Sequence, residues 1–280
     1  MKKLLLILLC LPMIGFGQQT YVPDDNFEMY LEGEGWGDGL INDSVPTATI
    51  SFLTQLDIDG LNIADLTGIE DFSSLEYFSC RDNYLTSIDI SNNPTITQFT
   101  CNDNVLTTLD VSQNTALIGL HCGYNQLTSL DVSNNTALND MACNNNQLTS
   151  LDVSNNTALN DLRCDNNQLS CLDISTNPNL RELGCEDNLL EQLNTKNGYW
   201  WLITKLDVGN NNLTCVEVDD IAYANSNWTN ANGNFDLNVS FSTNCNYANP
   251  CNPSTSIQEH TINKELLKVT DLLGRETKGT

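Results

Sequence analysis

The sequence predicts a β-rich solenoid, a stack of short coils in one elongated domain. Three observations carry this. From Leu117 the chain reads LIGLHCGYNQLTSLDVSNNTA, LNDMACNNNQLTSLDVSNNTA and LNDLRCDNNQLSCLDISTNPN, three near copies offset by 21 residues. One such copy cannot bury its own apolar face, so copies must stack. Within each copy the L-x-L-x-C run alternates inward and outward side chains, as a strand in a parallel sheet does, and no copy leaves room for a full helix.

The L-x-x-L-x-C-x-x-N-x-L spacing at a period in the twenties is the signature of leucine-rich repeats. The expectation is therefore a leucine-rich repeat array of about eight coils, mostly of 21 residues, with parallel strands. Aligned on the apolar position ahead of its asparagine, the array has rungs at Ile58, Cys80, Cys101, Cys122, Cys143, Cys164, Cys185 and Val208. The last interval is 23 residues, which places a bulging loop around 197–201. A second alternating run recurs at Ile88 to Ile90, Leu109 to Val111, Leu130 to Val132, Leu151 to Val153 and Leu172 to Ile174, and should line the opposite wall.

Ahead of the array, residues 1–17 have a basic start, an apolar run and Gly15 and Gly17 before Gln18, the pattern of a secretory signal peptide. The run is shorter than the roughly 20 residues a membrane span needs, and no later stretch qualifies. Residues 18–52 match the repeat nowhere. There Asp24 or Asp25 can cap a short helix that carries Phe27, Tyr30 and Leu31 on one face and ends near Gly33, an N-terminal cap for the first coil. Acidic residues in its first turn suit the helix dipole and need no further role. The array occupies 53–216. In 217–248, Trp228, Phe235, Phe241 and Tyr247 supply the bulk of a C-terminal cap, 249–258 is a linker, and 259–280 is a separate small pattern.

Two asparagine columns descend the array: Asn83, Asn104, Asn125, Asn146, Asn167, Asn188 and Asn211, then Asn93, Asn114, Asn135, Asn156 and Asn177. An amide buried in a turn offers both donor and acceptor to backbone groups that have lost water, so both columns are structural. Of the 11 cysteines, six form the column Cys80, Cys101, Cys122, Cys143, Cys164 and Cys185. Their Cβ vectors point the same way and do not converge, which predicts buried free thiols; a zinc site needs ligands around a point, and a column supplies a line. Cys215 with Cys245 would close the C-terminal cap, and the pairing of Cys171 and Cys251 stays open.

Acidic side chains number 36 against 11 Lys and Arg, a formal charge of -25, and no basic residue lies between Lys3 and Arg81. Phosphate binding rests on Lys and Arg, so nucleic acid is excluded as a partner. No phosphate loop, G-x-S-x-G or H-E-x-x-H occurs, and there are two histidines, so no catalytic set emerges and no enzyme is expected. No cofactor or metal is expected either. The column Asp89, Asp110, Asp131, Asp152 and Asp173 stacks like charges at a cost that solvent or calcium would relieve, and calcium is the one ion these rows admit.

Outward positions of the L-x-L-x-C strands are chemically varied, whereas the opposite wall repeats Ser, Thr and Asp. A binding face should be varied and a spacer monotonous. The expected ligand-binding residues are accordingly Tyr77, Arg81, Asp82, His121, Tyr124, Asp140, Asp161, Arg163, Asp165, Glu182 and Glu186, on what would be the concave face, with a protein or glycan as partner. The alternatives are a structural spacer of a surface or matrix and a calcium-stabilised solenoid.

The L-x-x-L-x-C-x-x-N-x-L-T-x-L-D-V-S-x-N coil resembles the secreted leucine-rich repeat proteins of Bacteroidota. TYVPDDNFEMYLEGEGWGDG together with NIADLTGIEDF is similar to their N-terminal cap region. The tail LLKVTDLLGRETKG resembles the start of the C-terminal sorting domain read by the type IX secretion system, which continues into further strands after a motif here held by Gly274 and Arg275. The resemblance implies export to the cell surface or medium, protein or glycan binding, and no catalytic residues. The type IX machinery would be a partner wherever the sorting domain is complete.

Overall fold

The computed structural model describes residues 17–228, 235–236, 238–247 and 251. Of the segments expected to be signal peptide, linker and sorting domain, all but Gly17 and Cys251 lie outside the described residues.

The chain folds as a parallel β-solenoid. Its first wall is an eight-stranded sheet built from 55–57, 77–79, 98–100, 119–121, 140–142, 161–163, 182–184 and 205–207, in that spatial order. Each strand is three residues long with its middle residue buried, because only that residue points inward: Leu56, Phe78, Phe99, Leu120, Met141, Leu162, Leu183 and Leu206 are at most 2% exposed. Phe78 stacks on Phe99 at 5.5 Å, and the cysteine column lies just beyond the strands, fully buried and unbridged. Burial pushes all six thiols up, so they stay protonated.

The second wall is lined as expected. The inward Ile90, Val111, Val132, Val153 and Ile174 are all buried, yet a sheet forms on this side only late, from 171–173, 192–194, 215–217 and 240–242. All along this wall asparagine side chains bridge successive coils, beside the sheet as well as ahead of it. Thus Asn114 Nδ2 donates to Ile90 O (3.0 Å) and Asn93 O (2.9 Å), and the pattern repeats in Asn93, Asn135, Asn156 and Asn177. Only the donor half of this column is used: Oδ1 of all five accepts no hydrogen bond. Asn197, inside the bulging loop, continues the column by donating to Asn177 O at 3.1 Å. The first column uses both halves. Asn146 Nδ2 donates to Cys122 O in the coil before (3.0 Å) and to Cys143 O in its own (3.1 Å), while its Oδ1 accepts from Leu127 N (2.9 Å). Every coil is sewn to its predecessor in this way.

At the N-terminal end, 19–21 pairs antiparallel with 44–46, and helices α1 (Asp25–Gly33) and α2 (Thr47–Ile50) cover the first coil. Phe27, Leu31 and Ile50 are fully buried, with Phe27 stacked on Phe72 at 6.0 Å. Asp24 Oδ1 caps α1 by accepting from the amides of Asn26 and Phe27, and its Oδ2 accepts from those of Ala64 and Asp65, so one carboxylate joins cap to coil. At the other end helix α3 (Ile221–Asn227) and the last strand, 240–242, gather Trp228, Phe235 and Phe241 into one ring cluster. Disulfides join Cys215 to Cys245 and Cys171 to Cys251.

Candidate functional site

Strands turn every second residue outward, and register aligns these residues into columns. One column runs Tyr77, Gln98, Gly119, Asp140, Asp161, Glu182, Lys205; beside it runs Ser79, Thr100, His121, Ala142, Arg163, Gly184, Asp207. A third follows the buried cysteines and includes Arg81, Gly123, Asp165 and Glu186.

Asp140, Asp161 and Glu182 therefore sit on successive rungs, about 4.8 Å apart. The neighbouring column supplies countercharge. His121 Nε2 lies 3.2 Å from Asp140, and Arg163 lies 3.1 Å from Asp161 and 3.9 Å from Glu182. The hydrogen bond from His121, helped by the charges of His121 and Arg163, holds the Asp140 carboxyl below its ordinary range against the effect of burial. Arg81 is 3.3 Å from Asp59, whose other oxygen accepts from the Ser79 hydroxyl and the Arg81 amide. Of the charged residues singled out from sequence, Arg81, His121, Asp140, Asp161, Arg163 and Glu182 are thus paired within one wall, whereas Asp82, Asp165 and Glu186 are in no ion pair among the described residues. Tyr77 and Tyr124 are 38% and 53% exposed.

Around Gly184 the pairing is incomplete. A recess there is lined by Asp161, Asp165, Glu182, Glu186 and Asp207 against Arg163 and Lys205. A Cβ on Gly184 would meet Glu186 Oε2 at 3.4 Å and Asp165 Oδ1 at 3.8 Å, so the missing side chain leaves the room into which these carboxylates turn. Burial, and then the charges of Asp165 and Asp207, push the Glu186 carboxyl above its ordinary value, and its Oε2 is buried without a hydrogen-bond donor. Such a recess attracts a cationic group.

Just past each cysteine the chain passes through the left-handed region, at Asp82, Asp103, Tyr124, Asn145, Asn166, Asp187 and Asn210 with φ of 53° to 57°. Asn and Asp tolerate this conformation; Tyr does so at a cost. Tyr124 alone breaks the column's chemistry, and it is exposed.

On the second wall the aspartates are engaged in their own turns. Asp89, Asp110, Asp131, Asp152 and Asp173 each accept from the backbone amide of the serine two residues on, at 2.8 to 2.9 Å. Hydrogen bonds from Ser91, Ser112 and Ser133 hold the Asp89, Asp110 and Asp131 carboxyls low. These residues form turns, and the stacked charges have backbone donors of their own.

Sequence reasoning passed over Asp59 and Asp207, although both stand in aligned positions of the first and eighth coils. It also passed over exposed aromatics: Tyr84 is 61% exposed, and Tyr199 and Trp201, with rings 5.4 Å apart, are 48% and 52% exposed. Asp82, on the same wall, is exposed. No helix among the described residues is long and apolar enough to cross a membrane.

Comparison with known proteins agrees with this geometry. An internalin C2 from Listeria monocytogenes superposes with a TM-score of 0.63 at 18% identity, over 80% of this chain and 98% of that one. The fold is the leucine-rich repeat solenoid. A leucine-rich repeat protein of Leptospira interrogans matches this solenoid at 26% identity and a TM-score of 0.50, over 53% of this chain and 41% of that one. The functional domain of InlJ from Listeria monocytogenes, which includes a cysteine ladder, matches at 25% identity and a TM-score of 0.42, over 81% of this chain and 62% of that one. A model of the LVIVD repeat matches residues 77–98, one coil of the solenoid. No curated protein matches the chain.

Proposed function

We propose that this chain is a secreted or cell-surface, non-enzymatic binding protein whose first wall recognises a protein ligand. The carrying observation is the contrast between the walls. Outward residues of the second wall are repeated, with its aspartates committed to their own turns, whereas those of the first vary and include a tyrosine held in a costly backbone conformation. The surplus of carboxylates around Gly184 favours a ligand that presents Lys or Arg, which suits a protein better than a neutral glycan. The leader at 1–17 and the tail from 259 fit export and type IX delivery to the surface.

The test screens the wild-type chain and a variant carrying Ala at Tyr77, Arg81, His121, Tyr124 and Arg163 against purified extracellular proteins and a glycan array. Binding by the wild type should be lost in the variant, while each exposed substitution moves stability by no more than about 0.5 kcal/mol. Equal loss from Ala at Ser87, Ser129 and Ser150 on the second wall would remove the first wall from the mechanism. Binding to nothing in either panel would favour the spacer reading.

A further inference from the structure

The N-terminal cap gathers three carboxylates from two segments. Asp25 and Glu28 lie in the first turn of α1, and Asp43 arrives from the loop ahead of the strand at 44–46. One oxygen from each lies within 4.8 Å of the other two. Attraction to the helix dipole accounts for an exposed Asp25, but not for Glu28. Its side chain is fully buried; Oε1 accepts from the amides of Asn42 (2.8 Å) and Ser44 (2.9 Å), and Oε2 is buried with no hydrogen-bond partner. A buried carboxylate oxygen left unpaired is costly unless a cation meets it. The chain supplies none nearby in sequence, for no Lys, Arg or His stands between Lys3 and Arg81.

We propose that Asp25, Glu28 and Asp43 form a calcium site that fastens α1 to the 42–44 loop. Calcium takes oxygen ligands at about 2.3–2.6 Å, so two of its ligands are never more than about 5 Å apart, and the three carboxylate oxygens meet that limit. A buried carboxylate with two exposed ones leaves room for the waters that complete a calcium shell. Magnesium, which demands near-ideal octahedral geometry and gives up its waters reluctantly, fits this irregular set less well. The site is independent of whatever the first wall binds.

The full chain, stripped with chelator, is titrated with calcium chloride by calorimetry and followed by thermal melting. One calcium per chain should bind at this site with half-saturation at about 0.1–1 mM, the range of extracellular modules, and raise the melting temperature. Asp43→Asn, which changes an exposed residue and leaves the fold intact, should weaken that binding about tenfold or more and abolish the rise; Glu28→Gln should do the same where it folds. An unchanged response in Asp43→Asn, no response in the wild type, or an equal response to magnesium chloride would each overturn the proposal.

Discussion

The two walls of this solenoid are built by the same coils and solve different problems. On the second wall the repeated Asn and Asp side chains are consumed by the stack: Asn135 donates to Val111 O and Asn114 O in the coil before, and Asp131 accepts from the Ser133 amide of its own turn. On the first wall the stack needs only the buried Leu, Cys and Asn positions, and the outward columns carry pairs that bridge rungs without holding them. Repetition in a stacked array marks what the stack requires. Variation marks where it is indifferent, and there a ligand can select residues.

The contrast is sharpest for substitutions of equal size on opposite sides. Asn135→Ala removes two buried side-chain hydrogen bonds, to Val111 O and Asn114 O, which keep their backbone donors, and should cost about 1–3 kcal/mol in chemical denaturation, whereas His121→Ala on the first wall should cost under about 0.5 kcal/mol. Equal losses would break the comparison.

A smaller effect tests whether the asymmetry stops at the surface. Cys143, fully buried beneath the first wall, should lose about 1–3 kcal/mol on conversion to Ser, because a hydroxyl is buried with no assured partner. The column thiols should also resist alkylation until the protein unfolds. Mass spectrometry that finds disulfide-linked peptides between adjacent coils would contradict the buried-thiol geometry.

The smallest expected effect has the opposite sign. Tyr124→Asn restores the residue type that its left-handed position favours and should stabilise the chain by about 0.5–1 kcal/mol, while weakening whatever the first wall binds. A destabilised variant would mean that the ring packs in a way its exposure conceals.

Much of the architecture was legible because a 21-residue period assigns each position a side. The rungs from Ile58 to Val208 could be read from alternation alone, since a one-residue slip would turn every leucine outward. What periodicity does not report is which partner satisfies a polar group. The aspartate column therefore reads as stacked charge with no sign of the amides of Ser91, Ser112 and Ser133 that donate to it, and the second asparagine column reads as two-sided although only its amide donors are used. In the cap, the first-turn carboxylates read as dipole partners, because no pattern within a single helix reveals that Asp43 folds back onto Glu28. The first wall was the less legible region: Asp59 and Asp207 complete its pairs from the ends of the array, where the repeat is least regular.

The first asparagine column reaches in one direction only. Asn104 donates to Cys80 O, Asn125 to Cys101 O and Asn146 to Cys122 O, always in the coil before. Because these joints are interchangeable, a whole coil can be excised or duplicated by unequal recombination and every remaining joint still finds a partner of the same kind. The molecule is in effect a ruler graduated in coils. Its length can be reset by adding or losing graduations, while the two end pieces remain as they are.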